Sequence, residues 1–457
     1  MAALPRGLVS KEQLSQIPGI TSSRTNILPS NSSGTFKYSP GGNSRVVFNI
    51  PSFENSYINC ARSYVSFKIR ATGTDPESAI LTDGCPVFKA LMLKNSRSTV
   101  IEDIQSYDVL CKIKSNMETK ADKMAKAISH RDLRVLKGDH QHADMTDYNV
   151  TAKTVIHTLE SGMLGRNQKY LVPVSSMSAS SGYAFSLELW LNDVSKVFGG
   201  TRSATTTHAY EITDVSFDIE LVHVTDSIMA NINSEIQAGA SIPMPFTSYR
   251  AHTTHIASGN SAIVNISESA HDVTAVYTVL KPQTFNIEPN LDNKKQLKSS
   301  NNPYRFLGGR HNISTNVAGD ALSVGSSNTK LTRYAYRYGS KYYPLAPVTM
   351  TNDSMLALEN IVSGFELQDR LPFMSDTMII GDQVVSRFET DTFMIAQSFK
   401  ATNDAIQNGL NSSATGAAIQ IDLTFAGTVS NIEVTSFVES SNVLYISKNG
   451  SSGLVVN

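Results

Sequence analysis

From residue 45 onward, apolar and polar positions alternate with period two in a series of short stretches. Val46, Phe48 and Ile50 share one face, and Val65, Phe67 and Ile69 another, with Ser66, Lys68 and Arg70 opposite. Phe185, Leu187, Leu189 and Leu191 alternate with Ser186, Glu188 and Trp190; Val215, Phe217, Ile219 and Leu221 alternate with Ser216, Asp218 and Glu220. Further stretches run from Val273 to Val279, from Phe393 to Phe399 and through Ile419, Ile421, Leu423 and Phe425. Side chains of a strand point alternately to opposite faces, so such stretches separated by polar turns predict antiparallel sheets with one wet face. The chain reads as all-β.

Helical periodicity is confined to three places. The longest candidate runs from Ile104 to Ile128, with Lys120, Lys123 and Lys126 on its wet side. A second begins near Asp226 as N-cap, carries Ile228, Ile232 and Ile236 along one stripe and stops at Gly239. A third begins near Asp353, carries Met355, Leu358 and Val362, and ends at Gly364.

The order of elements occurs twice. In the first half it runs strand pair, strand with an Asn turn at Leu91–Asn95, helix, strand, strand. The second half repeats it, with a Gly turn after Tyr334 and the helix near Asp353. Offsets of about 200 to 245 residues exclude a short-period array. The expected organisation is therefore an extended N-terminal arm over 1–44, a first sandwich over 45–225, a linker helix over 226–241 and a second sandwich with a C-terminal tail over 242–457.

Length agrees, since 457 residues suit two domains of sandwich size. Charged residues are 17% of the chain, below the roughly 25% of average soluble domains. Such a shortfall fits a surface covered by neighbours, as well as any Ser/Thr/Asn-rich β protein. A net charge of −1 argues against nucleic-acid binding by whole-surface electrostatics. No apolar run approaches the roughly 18 residues of a membrane span. The opening Met1-Ala2-Ala3-Leu4-Pro5-Arg6 is not followed by an apolar core, so cytosolic synthesis without a secretory leader is expected. The Asn-x-Ser/Thr sequons, among them Asn149, Asn265 and Asn312, would then stay unmodified.

Candidate chemistry is sparse. Cys60, Cys85 and Cys111 match no zinc spacing and read as free thiols. The densest set of metal-ligand types is Asp139-His140-Gln141-His142-Ala143-Asp144; beside Arg131, Arg134 and Lys137 it reads as a solvated loop. His252 and His255 read as polar loop residues. Lys112, Lys114, Lys120, Lys123, Lys126, Arg131, Arg134 and Lys137 outnumber Glu118, Asp122 and Asp132; such an excess could meet nucleic acid, an anionic membrane or an acidic partner, but mixed signs favour a solvated helix face. Tyr334, Tyr336, Tyr338, Tyr342 and Tyr343 interleave with Arg333, Arg337 and Lys341. Such a mixture could stack bases, but period two on one strand favours packing at a subunit interface. No phosphate loop, nucleophile elbow or His-Glu-x-x-His occurs, so no catalytic, metal or cofactor residue is assigned.

Three stretches resemble the double jelly-roll major capsid proteins of polinton-like viruses, virophages, adintoviruses and their larger relatives. The first is Phe48-Asn49-Ile50-Pro51 followed by Tyr57 to Ile69, with Asn59-Cys60 where those proteins usually have Asp-Leu. The second is Ala90-Leu91-Met92-Leu93-Lys94-Asn95 running into Val100-Ile101-Glu102-Asp103 and Tyr107 to Leu110; Asn95-Ser96 replaces Asn-Gly. The third is Arg337-Tyr338-Gly339-Ser340-Lys341-Tyr342-Tyr343-Pro344-Leu345-Ala346-Pro347-Val348, similar to their Tyr-Pro-x-x-Pro segment. The resemblance implies two tandem jelly rolls and a non-enzymatic shell subunit of a virion. It also implies a homotrimer of pseudo-hexagonal outline among neighbouring capsomers, with penton and minor capsid proteins and an internal membrane or genome as partners. The alternatives are a capsid or spike protein of another lineage and, outside that class, a carbohydrate-binding sandwich or a hydrolase on a sandwich scaffold. A carbohydrate binder wants exposed Trp platforms, and Trp190 is the single tryptophan.

Overall fold

In the computed structural model, the period-two stretches are strands of two sandwiches. The structure describes residues 20–31, 37–73, 80–81, 86–119, 122, 152–177, 183–199, 208–282, 304, 306–309, 330–350, 355–365, 367, 377–380, 383–386, 388, 392–400, 409–413, 418–446 and 455–456. The first sandwich uses β1 (Thr21–Ile27), β2 (Arg45–Pro51), β3 (Ser56–Gly73), β5 (Phe88–Asn95), β6 (Val100–Gln105), β7 (Lys153–His157), β8 (Tyr183–Leu191) and β10 (His208–His223). One sheet has the order β1-β10-β3-β7 and the other β2-β8-β5-β6; β4 (Ile80–Leu81) and β9 (Phe198–Gly199) form a small separate ribbon. Strands distant in sequence become neighbours and the chain repeatedly changes sheet, which is the jelly-roll manner of closing a double sheet. The alternating apolar residues meet between the layers: Phe48 packs against Phe217 and Phe67 against Phe88, with ring centroids 5.9 and 5.5 Å apart.

The second sandwich is organised around two long strands, β11 (Ile242–Ile266) and β18 (Ile419–Ile446), paired antiparallel along their lengths. Ile419–Phe425 of β18 also pairs β13 (Leu331–Tyr338), whose other edge takes β14 (Lys341–Thr349). Ile432–Ser440 pairs β12 (Val273–Pro282), whose other edge takes β17 (Ile395–Ser398). The long ribbon thus passes from one layer into the other, and a bulge between Gly259 and Ser261 breaks the register at the crossing. Tyr336 Oη of β13 and Thr278 Oγ1 of β12 hydrogen-bond at 3.2 Å, a polar bond between the two layers. The short strands β15 (Thr377–Ile380) and β16 (Gln383–Ser386) pair together, and β19 (Val455–Val456) pairs β18.

Several expectations change. The helix expected over 104–128 is α1, Tyr107–Asn116; Ile104 belongs to β6, and nearly all of the stretch beyond Glu118 lies outside the described residues. Ser106, left-handed at φ 51°, turns the chain from strand to helix. The helix near Asp226 is α2, Asp226–Gln237, and its N-cap is Thr225 rather than Asp226; it ends before Gly239, at φ 97°. The third is α3, Met355–Gly364. Within the segment read as an arm, Thr21–Ile27 pairs with β10 as an edge strand. The stretch from Ile419 to Phe425 is only the start of one continuous strand that runs on to Ile446, because β11 pairs along its length.

Candidate functional site

The densest polar construction among the described residues is the seam between the sandwiches. Helix α1 buries Tyr107, Val109, Leu110 and Ile113 in the first sandwich and carries Lys114 in its last turn, where a cation favours the helix dipole. Lys114 Nζ reaches the second sandwich, bonding Glu439 Oε2 at 3.0 Å and Tyr277 Oη at 3.1 Å. It also stands over the rings of Tyr277 and Tyr249, 4.2 and 4.7 Å from their centroids. Glu439 accepts further bonds from Thr274 Oγ1 at 3.1 Å and Tyr277 Oη at 2.8 Å, with Lys400 Nζ 3.9 Å away. Burial pushes the Glu439 carboxyl up, but the charges of Lys114 and Lys400 and the Tyr277 hydroxyl outweigh it and bring it down to about 2. Burial and this carboxylate hold the Tyr277 and Tyr249 phenols well above the usual range.

A second construction sits on the same seam. Glu102 of β6 is buried and accepts bonds from the Ser161 hydroxyl, from Gly162 N at 2.8 Å and from Met163 N at 3.2 Å. Burial raises its carboxyl to about 7, although all three donors oppose the shift. The loop so held passes flush against β11: a Cβ on Gly162 would lie 1.3 Å from the Thr247 carbonyl oxygen, so only glycine fits. Gln168 Nε2 donates to the carbonyls of Gly162 and Pro245, at 3.2 and 3.3 Å, joining loop and strand. The Tyr107 hydroxyl accepts from Glu160 N at 2.8 Å and shares a hydrogen bond with His157 Nε2 at 3.0 Å. Tyr304, from the connection between β12 and β13, donates to Asp108 of α1 at 2.7 Å; Asn192 donates to the same carboxylate at 2.8 Å. A cleft of about 210 Å³ opens beside the seam, lined by Glu160, Gln168, Lys169, Tyr170, Tyr249 and Lys400 among others.

These groups lock one sandwich to the other. Among the described residues no group of three His, Cys, Asp or Glu is placed to hold a metal. His140, His142 and Cys85, and the basic residues from Lys120 to Lys137, lie outside the described residues. Cys60 is buried, its thiol donating to the Met163 carbonyl at 3.6 Å, and Cys111 is half-buried; neither is in a disulfide. His252 and His255 are strand residues of β11 rather than loop residues, and His252 Nε2 meets Glu268 at 3.1 Å.

Two readings are corrected. Lys112 and Lys114 do not lie on a solvated helix face; Lys112 is buried and Lys114 spans the seam. Tyr334 and Tyr336 do not face a subunit interface. They are fully buried inside the second sandwich, whereas Arg333 and Arg337 of the same strand point outward. Sequence reasoning gave no role to Glu439 or Glu102. The signal available was an acid within an apolar strand, but such an acid is more often on the wet face.

No family model matches the sequence, and no curated protein matches it. Solved structures do. The PBCV-1 virus capsid superposes with a TM-score of 0.61 at 9% identity, over 96% of this chain and 97% of that one. The Faustovirus major capsid protein gives 0.56 at 10% identity, over 94% and 91%. A chain of the Sputnik virophage, solved by cryo-EM, gives 0.55 at 10% identity, over 95% and 88%. The chain therefore has the double jelly-roll fold of viral major capsid proteins.

Proposed function

We propose that this chain is the major capsid protein of a double-stranded DNA virus, a non-enzymatic shell subunit located in the virion. The observation that carries the reading is the end-to-end correspondence: the superposition spans nearly the whole of this chain and of the capsid chains. The locked seam supports it, since a shell subunit has to keep both sandwiches in one fixed relation while neighbours press on them. In this reading the chain is made in the host cytosol and copies associate as homotrimers of pseudo-hexagonal outline. The trimers meet neighbouring capsomers, penton and minor capsid proteins at the shell, and a membrane or genome beneath it. Two sandwiches joined by the helix α2 complete the organisation, with Thr21–Ile27 of the N-terminal segment serving the first as a strand.

Light scattering and negative-stain microscopy of the purified full chain test this. The expected result is three times the chain mass and particles of hexagonal outline, alone or tiled. A well-folded monomer at micromolar concentration overturns it.

A further inference from the structure

The outer face of the sheet β14-β13-β18-β11 carries features that its own chain leaves incomplete. Register and burial define that face. Tyr334, Tyr336, Ile421, Leu423 and Val264 are buried between the layers, so the intervening residues point outward. Ile263, Asp422 and Ala335 form one transverse row. At the end of that row β14 departs from the ladder: Val348 pairs Tyr334 and Tyr343 pairs Tyr336, so Pro344–Pro347 bulges out beside Ala335. Leu345 stands in that bulge 92% exposed, and Ile263 at the opposite end of the row is 59% exposed.

Between them lie polar atoms shielded from water. Asp422 Oδ1 is buried and has no hydrogen-bond partner among the described residues. The same holds for Nε of Arg337, whose Nη2 is bonded to Gln420 in the next row. Buried orphan acceptors and donors are rare because leaving them so is costly. Asp422 and Arg337 are themselves half-buried, so the rest of the carboxylate and guanidinium stays within reach of a partner surface.

The adjoining stretch of the long ribbon has a matching property. Thr253–Ala262 and Thr424–Ile432 contain no Asp, Glu, Lys or Arg, although 17% of the chain is charged. Thr253, Ala257, Ser258, Asn260, Ser261, Ala426, Thr428 and Ser430 are exposed nonetheless. Among the described strands β11 pairs β18 alone, so its outer edge is open. Open edges are ordinarily protected by charge, and this one is not.

We propose that this face, from Ile263 across Asp422 to Leu345 together with the uncharged ribbon, is a contact surface for a second copy of this chain. A single docked strand would cover the β11 edge but not a row running across four strands. At strand spacings of roughly 4.8 Å and 3.3 Å per residue, row and ribbon together cover about 400 Å². That is about half of the roughly 800 Å² per partner of a stable protein interface and more than a small ligand covers. The choice of a second copy rests on the capsid reading, in which the commonest neighbour of each chain is the same chain.

The test is the oligomeric mass of the full chain carrying Ile263→Glu and Leu345→Glu, by light scattering at micromolar concentration, with thermal melting as the check of fold. The unmodified chain is expected to be oligomeric. The variant should melt as it does but associate at least 100-fold more weakly. Amides of Thr253–Ile263 and Thr424–Ile432 should exchange with deuterium more slowly in the oligomer than in the dissociated variant. If the Glu pair fails to fold, Ile263→Ser with Leu345→Ser takes its place, and the same weakening is required. A folded variant that keeps the unmodified mass overturns the assignment of this face while leaving the capsid reading intact. An unmodified chain that stays monomeric, or that binds only an unrelated protein through this face, overturns both.

Discussion

Lys114 and Glu439 meet with Nζ and Oε2 3.0 Å apart, although 325 residues separate them in the chain. One comes from the last turn of α1 in the first sandwich, the other from the middle of β18 in the second. The pair, walled by two tyrosine rings, is an electrostatic bolt through the seam.

Replacing Lys114 by Met removes the bolt and leaves a buried carboxylate facing only the more distant Lys400. A loss of about 3–5 kcal/mol is expected in urea denaturation. Adding Glu439→Gln should recover most of it, because the second change removes the stranded charge. A double variant as unstable as the single one would show that Lys114 acts through packing alone.

The acid limb of the stability profile should carry the mark of Glu439. Its carboxyl is held at about 2 in the folded chain, below the ordinary 4.5. Its contribution is therefore complete above about 4.5 and lost as pH falls towards 2. The amount is on the order of 3 kcal/mol at ~1.4 kcal/mol per unit. Denaturation midpoints of Glu439→Gln should be flatter over that interval.

Glu102 predicts the opposite slope. Raised to about 7, it keeps its proton in the folded chain over a range where the unfolded chain has lost it. Its contribution is complete below about 4.5 and is lost as pH rises through 7, again by on the order of 3 kcal/mol. Comparing Glu102→Gln with the unmodified chain across that range isolates the effect; identical slopes would remove Glu102 as its source.

Gly162→Ala should lower the melting temperature sharply, since the new methyl group has nowhere to go but into the Thr247 carbonyl. Either the loop or β11 has to move, at a cost of ~3 kcal/mol or more. Limited proteolysis would locate the damage at the seam, with cleavage between the sandwiches gaining on cleavage elsewhere.

Tyr336→Phe offers a mild probe of the second core. It removes a hydroxyl that donates to the Ile395 carbonyl and hydrogen-bonds Thr278. A loss of about 1–2 kcal/mol in stability is expected, with oligomeric mass unchanged. A fall in mass without a fall in stability would return Tyr336 to the subunit surface.

What could be read from the sequence was whatever alternated strictly on one buried face. Val46, Phe48 and Ile50, and Phe185 to Leu191, are such cases, and each became a strand near its expected bounds. The first half of β11 was not read, since Pro243 and Pro245 interrupt it as strand breakers. An edge strand tolerates them, because one side of its backbone bonds to nothing in the sheet. The tyrosines of β13 were assigned to the wrong side because aromatic and basic residues interleave there; period two sends the tyrosines inward and the arginines outward alike. The seam was beyond reach for a different reason. A lone lysine and a lone glutamate 325 residues apart carry no mutual signal until the fold brings them together.

The pairing of β11 with β18 also sets a timetable for synthesis. Ile266 precedes Ile419 by about 150 residues, which at translation rates of roughly 5–20 residues per second is an interval of some 8–30 s. Throughout that interval Met244, Phe246, Ile256 and Val264 lack the strand they pair beside. The first sandwich can close as soon as β10 emerges. The second has to wait for its last strand, exposed to its many identical copies on neighbouring ribosomes. A nascent second half held open in a crowded cell is where a folding helper would have most to do, and where a chain broken off before residue 419 would be left without a core.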